Sequence, residues 1–258
     1  MWTWLQGASS RDPFAIAIAH LNVCSTCVMV PGMKHVLCIF CATMALSCGG
    51  AHPACPEHAK PKERVAVQIG ATVLRAKAQA VSVEEIRTPA FQELLTRMVR
   101  AMREAPGVGL AAPQIAISKQ VFVVEDTPER MAKLSDAERA ERSRVPVPLR
   151  VFVNPVVTAI GEERATFFEG CLSVEGYAGL VTRALDVEVR GLNEHGSPVS
   201  WRVRGWPARI LQHEYDHLQG TLYVDRMLLR SFSTVDQVRA RFAGKSSAQI
   251  RTELGVSD

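Results

Sequence analysis

The stretch 207-PARILQHEYDHLQG-220 opens on a proline, closes on a glycine and places two histidines four residues apart. Proline fits the first turn of a helix and glycine the position past its end, so the segment reads as one helix from Pro207 to Leu218. Residues four apart share a helix face, which lets His213 and His217 reach one metal ion from successive turns. Glu214, about 100° further round the axis, points toward a water at that ion rather than the ion itself. The plainer alternative is a helix with two surface histidines and an incidental acid. In the longer motif of this kind a third histidine returns to the metal three residues after the glycine. Here that position is Tyr223, and no histidine follows His217. Downstream only Glu253 remains as a glutamate ligand, so the third ligand is sought upstream.

Working outward, Thr88-Pro89 is another helix start, with Thr88 as cap. Phe91, Leu94, Leu95, Met98, Val99 and Met102 follow at helical spacing, until Pro106-Gly107 stops the run. Val65 to Ile69, Gln120 to Glu125 and Arg150 to Asn154 read as strands, the first turning at Gly70. The charged insertion from Asp126 to Arg144 reads as a surface excursion, partly helical. Asp186 to Leu192 and Val199 to Arg204 alternate about 193-NEHG-196, a hairpin signal. This order implies an α+β fold: mixed and antiparallel strands packed around a central, metal-binding HExxH helix, with an N-terminal helix.

A chain of 258 residues that is 47% apolar can bury one sizeable core. With 30 Lys+Arg against 26 Asp+Glu the formal charge is +4, too small and scattered to argue for nucleic acid or an anionic membrane. No run of eighteen or more apolar residues offers a spanning helix. Cys24, Cys27, Cys38, Cys41, Cys48 and Cys55 crowd the first fifth, leaving Cys171 alone in the rest. That asymmetry separates a leader or poorly ordered extension (1–62) from a body of a reducing compartment. The leader's two Cys-x-x-Cys pairs can be read as a zinc knuckle. The run from Met33 to Gly50 can be read as an export signal with a lipid-attachment cysteine, and the whole leader as an organelle transit peptide. An extension outside the fold, joined through the linker 56-PEHAKPKE-63, is the reading preferred.

Cys171 lies in 168-FEGCLSVEGY-177. A thiolate with two imidazoles is a three-ligand set that leaves one position open for water, although a lone cysteine is more often a small buried hydrophobe. A third stretch, 107-GVGLAAPQIA-116, has two glycines that allow unusual backbone and one amide donor, Gln114, in an otherwise apolar run. It lacks the third glycine of a dinucleotide loop and the Lys-Ser/Thr pair of a phosphate loop.

Taken in order, Gly107-Val108-Gly109-Leu110-Ala111-Ala112-Pro113-Gln114, Glu169-Gly170-Cys171-Leu172-Ser173 and His213-Glu214-Tyr215-Asp216-His217 resemble the three signature motifs of the peptide deformylase family. The resemblance runs from about Val65 to Leu229, which implies a catalytic domain over 63–231 and a helical or flexible tail over 232–258, and takes in 150-RVFVNP-155 and 205-GWPARI-210, which look like the branch with mitochondrial and some bacterial members. Gly70-Ala71-Thr72 stands where that family usually has Gly-Asp-Pro or a close variant, and the 126–144 insertion is long; neither touches the chemistry.

The resemblance implies a hydrolase that removes the formyl group from the N-terminal formyl-methionine of newly synthesised polypeptides and releases formate. It implies one divalent metal on Cys171, His213 and His217, ferrous iron first, with zinc, nickel or cobalt also able to occupy such sites. Glu214 would take a proton from water and return it to the leaving amine. The Gln114 side chain and the Leu172 N–H would steady the oxyanion. Val108, Trp206 and Ile210 would line the methionine pocket, with core packing an equal reading for Trp206. Gly109 and Gly170 would hold the peptide as an added strand, and Glu169 joins the substrate-binding set. Arg209 would face the pocket mouth or solvent. A formyl carbon bears only hydrogen, so a narrow site accepts it and excludes an internal peptide bond. The partners implied are nascent N-formyl-methionyl chains at the ribosome, met by a monomer without direct nucleic-acid contact. The compartment implied is a bacterial cytoplasm, a mitochondrion or a plastid. Two rivals stand against this reading: a metal-dependent endopeptidase, which would cleave unformylated peptides, and a non-catalytic binding module, which would lack a ligand or Glu214.

Overall fold

The computed structural model describes residues 64–256, except 106 and 133. The leader, with its zinc-knuckle, export-signal and transit-peptide readings, lies outside the described residues. Among the described residues no helix is long and apolar enough to cross a membrane.

Helix α1 (Val83–Ile86) is one turn, capped by the Ser82 hydroxyl, which accepts the Glu85 N–H. Helix α2 (Pro89–Glu104) starts where Thr88 accepts the Phe91 N–H and Pro89 lacks a donor that would otherwise be unpaired. Its stripe of Phe91, Leu94, Leu95, Met98 and Met102 is buried, in one cluster with Leu110, Val121, Val123 and Val153.

The described strands are β1 (Gly109–Ala111), β2 (Val121–Asp126), β3 (Val147–Ala159), β4 (Arg164–Cys171), β5 (Val174–Ala184), β6 (Asp186–Leu192), β7 (Pro198–Arg204) and β8 (Ser233–Thr234). They form two antiparallel sheets, in the orders β1-β2-β3-β6-β7 and β4-β5-β8. The β6–β7 hairpin turns at 193–196, where the Asn193 side chain accepts the N–H groups of His195 and Ser197. In the second sheet β4 and β5 are joined by Leu172-Ser173, and the register shifts between Gly170 and Cys171.

Between β2 and β3, α3 (Pro128–Met131) and α4 (Asp136–Glu141) make up the charged insertion. It is helical in part, but its end is no surface excursion. Arg144 grips the buried Asp126 through two hydrogen bonds of 2.7 and 2.9 Å, and the guanidinium groups of Arg142 and Arg144 lie 5.2 and 5.3 Å from the Trp206 ring.

Helix α5 (Trp206–Leu218) touches strands of both sheets. Trp206, Ala208, Ile210, Leu211 and Leu218 pack with Phe122, Val124, Phe152, Val187 and Val189. Its end is fixed by Gly220, in the left-handed region at φ +73°, where a β-carbon would meet the Arg75 carbonyl oxygen at 2.7 Å. Beyond residue 231, α6 (Val235–Phe242) and α7 (Ser247–Leu254) send Val238, Phe242 and Ile250 against Phe168, Ala178 and Leu180.

The strand expected at Val65 to Ile69 is absent. The Val67 N–H donates to the Gln114 carbonyl at 2.9 Å and the Ile69 N–H to that of Ser173 at 2.7 Å. These donors go to a 3-10 helical turn (Ala112–Ile115) and to the Leu172-Ser173 turn, so no neighbouring strand forms a ladder with the segment.

Candidate metal site

Cys171 ends β4, and His213 and His217 lie on α5. All three are buried, and their ligand atoms lie within 4.8 Å of one another. The Cys171 Sγ is 3.2 Å from the His217 Nε2. The His213 Nδ1 is 2.9 Å from the Glu169 Oε2, so a proton on Nδ1 donated to the carboxylate leaves Nε2 as the ligand atom. A soft sulfur ligand and two imidazoles, buried and convergent, fit a divalent transition metal.

Behind the ligands runs a chain of charges, buried except at its end in Arg226. Glu169 is fully buried; its Oε1 accepts Arg183 Nε at 2.9 Å and Arg209 Nη1 at 2.6 Å, and its Oε2 accepts Arg183 Nη2 at 2.8 Å. Arg183 continues to Asp216, which Arg226 clasps at 2.7 and 2.8 Å. Burial pushes the Glu169 carboxyl up, but Arg183, His213 and Arg209 outweigh it and hold the group well below the usual carboxylate range. Burial brings Arg209 down to about 10. Glu169 was expected among the substrate-binding residues; with both oxygens taken and no exposure, it holds the His213 ring from behind instead. Arg209 faces neither a pocket mouth nor solvent. It is buried, bonded to Glu169 and to the carbonyls of Val181 and Ala165, with its guanidinium 5.2 Å from the Phe167 ring.

Glu214 is also buried, and its Oε2 has no partner among the described residues. Burial raises it to about 7. Gly109 explains how the carboxyl fits, since a β-carbon there would come 2.6 Å from the Glu214 carboxyl carbon. The glycine serves close approach, not the unusual backbone the sequence suggested. The Gln114 Oε1 accepts the Ala111 N–H at 2.9 Å, and its Nε2 lies 3.5 Å from both the Cys171 Sγ and the Ser173 Oγ. Tyr223 stacks on His213 at 6.4 Å between centroids, with its hydroxyl buried and unpartnered among the described residues.

Val108, Trp206 and Ile210 come together in one buried cluster, and Phe167 meets Trp206 edge-on at 6.3 Å. Gly109 and Gly170 lie on β1 and β4, each at the end of its sheet. Sequence reasoning missed Arg183, Asp216 and Arg226; the one available signal was a lone arginine within the apolar run 178-AGLVTRAL-185.

Fold and site define a mixed α/β protein with antiparallel sheets, in which a cysteine sulfur and two imidazoles able to hold a metal gather beside a buried carboxyl group. Residues 64–231 match the polypeptide deformylase family model, and the chain belongs to that family. It is 47% identical over 172 residues to the chloroplastic peptide deformylase 1A of Solanum lycopersicum, covering 67% of this chain and 62% of that protein. It is 43% identical over 169 residues to the mitochondrial peptide deformylase of Homo sapiens, covering 65% and 69%. The chain therefore spans less than two thirds of the tomato relative's length. A Met-Ala-Ser-bound class I type b peptide deformylase from Acinetobacter baumannii superposes with a TM-score of 0.56 at 35% identity, over 63% of this chain and 96% of that one.

Proposed function

We propose that this protein hydrolyses the formyl group from the N-terminal formyl-methionine of newly made polypeptides, releasing formate. The observation that carries the reading is the convergence of Cys171, His213 and His217 with Glu214 and the Gln114 amide beside them. Cys171, His213 and His217 would hold one divalent cation, ferrous iron by our assignment with zinc, nickel or cobalt as substitutes, which would supply Lewis acidity toward the formyl carbonyl and a bound water.

The chain's own residues do the rest. The Glu214 carboxylate accepts a proton and passes it to the departing amine. The Gln114 Nε2, steadied by its Oε1 bond to Ala111, donates to the oxygen that gains charge, and the Leu172 N–H is the second donor. Glu169 keeps the His213 ring in place. The free edges of β1 and β4 at Gly109 and Gly170 receive the peptide backbone. Val108, Trp206 and Ile210 meet the methionine side chain. The body 63–231 is the catalytic unit, and its place of work is wherever translation starts with formyl-methionine, a bacterial cytoplasm or an organelle.

The test compares formyl-Met-Ala-Ser with Met-Ala-Ser on the metal-loaded protein. Formate release from the first and no cleavage of the second is the expected result. Cleavage within the unformylated peptide would favour an endopeptidase, and no reaction with either a binding module.

A further inference from the structure

The segment 66–69, which forms no strand, fastens the turn that follows Cys171. The Ile69 N–H donates to the Ser173 carbonyl at 2.7 Å. The Gln68 Nε2 donates to the Leu172 carbonyl at 2.9 Å and to that of Ala66 at 3.0 Å, while its Oε1 accepts the Glu175 N–H at 3.3 Å. One side chain thus binds both sides of the Leu172-Ser173 turn and tethers it to its own backbone. The hold acts where the ladder is irregular: Gly170 pairs with Ala178 but Cys171 with Val174, which leaves Glu175, Gly176 and Tyr177 of β5 without partners on β4 next to the turn.

The peptide unit between Leu172 and Ser173 is planar and trans, so its C=O and N–H point in opposite directions. Its C=O is held by Gln68. Its N–H lies 3.4 Å from the Cys171 Sγ and donates to it. We propose that Gln68 is a positioning residue for the candidate metal centre: by holding the Leu172 carbonyl it aims the Ser173 N–H at the Cys171 sulfur. A hydrogen bond to a ligand sulfur draws electron density from it and fixes its direction, which tunes the bond to the metal. The inference rests on Cys171 being a metal ligand.

The test replaces Gln68 in the full chain and reads the metal, not turnover. Gln68→Met removes every hydrogen bond of the side chain at similar length. Gln68→Glu keeps an acceptor for the Glu175 N–H but has no N–H for the Leu172 carbonyl. In cobalt-loaded protein the wild type should show a thiolate-to-cobalt absorption band. Both variants should load cobalt to the same stoichiometry, with that band shifted and with metal loss faster by on the order of tenfold. In protein loaded with cadmium-113, the wild type should show a coupling between cadmium and the Ser173 amide proton, and the variants should lose it. Unchanged band, coupling and metal loss in both variants would overturn the role of Gln68, even if their melting temperatures fell. Absence of the coupling in the wild type would overturn it too, whether or not a variant folds. A wild type without any thiolate band would instead refute the ligand assignment of Cys171 on which the inference stands.

Discussion

Gly109 and Glu214 share one space, and this makes a glycine on β1 answerable for a carboxyl group on α5. A methyl group at 109 cannot coexist with the carboxyl where it lies, since its carbon would fall 2.6 Å from the Glu214 carboxyl carbon. Gly109→Ala should therefore displace the carboxyl while the ligands, on β4 and α5, keep the metal. We expect turnover to fall by on the order of a hundredfold or more, as when a positioned acid–base group is lost, at unchanged metal content; normal turnover would free Glu214 from the role assigned to it. Glu214→Gln tests the same group without a clash. It should retain metal, fold and peptide binding and lose roughly two to four orders of magnitude in kcat. Gln114→Leu should cost about a hundredfold, as one oxyanion donor does. Metal assay and single-turnover kinetics on the three variants separate these effects. The residues in this argument are legible in the sequence because His213, Glu214 and His217 sit at a spacing that only a helix makes meaningful. Arg183, Asp216 and Arg226 are not legible, because the pairing of Arg183 with Glu169 and Asp216 exists only after β4, β5 and α5 have packed.

Elements are joined in places by single ion pairs, and the one between α2 and β2 has a pH signature. Arg103, in the last turn of α2, meets Glu125 of β2 in two hydrogen bonds of 2.8 Å. The bond from Arg103 holds the Glu125 carboxyl below its ordinary value against the opposing effect of burial. A carboxyl whose folded pKa is depressed contributes stability above its unfolded pKa, about 4.3 for glutamate, and loses it as pH falls through the lower folded value. The Arg103 side chain is 53% exposed, so solvent screening limits the contribution to about 1 kcal/mol or less. Urea unfolding should find Glu125→Gln less stable than the wild type near pH 7, with the two curves converging as the pH falls below about 4.3 and through the lower folded value; a gap independent of pH would mean the pair acts by packing. At this scale the sequence is uneven. The cap and stripe of α2 and the turn at 193–196 are local signals and can be read from it. The β4–β5 hairpin cannot, because Phe168, Ala178 and Leu180 are buried on one face and Glu169, Cys171 and Val181 on the other, which removes the alternation that marks a half-buried strand. Val65 to Ile69 errs the other way: it looks like a strand, yet the N–H groups of Val67 and Ile69 are claimed by a 3-10 helical turn and by the Leu172-Ser173 turn.

At the scale of the whole molecule, the hairpin that brings Cys171 to α5 has a second face, and the last described helices cover it. Phe168 and Leu180 are opposite one another in the β4–β5 register. Phe242 of α6 stacks on Phe168 at 5.6 Å, Val238 and Ile250 join the same cluster, and β8 pairs with β5. The family match stops at 231, before this cover, and the sequence suggested a helical or flexible tail there. A chain ending after Ser231 would still hold all three ligands but would expose an apolar face on the element that positions one of them. Phe242→Ala alone should cost about 3–5 kcal/mol, the usual range for emptying a buried phenylalanine site. The truncated chain should lose more, because it gives up β8 and both helices together, and should melt earlier and aggregate through the uncovered sheet. Thermal melts followed by metal assay order the events. If the cover supports the hairpin, melting temperature and metal retention fall together in the truncated chain and fall less in Phe242→Ala. A truncated chain that melts like the full one and keeps its metal would mean that the five-stranded sheet and α5 hold Cys171 in place without help from the far side.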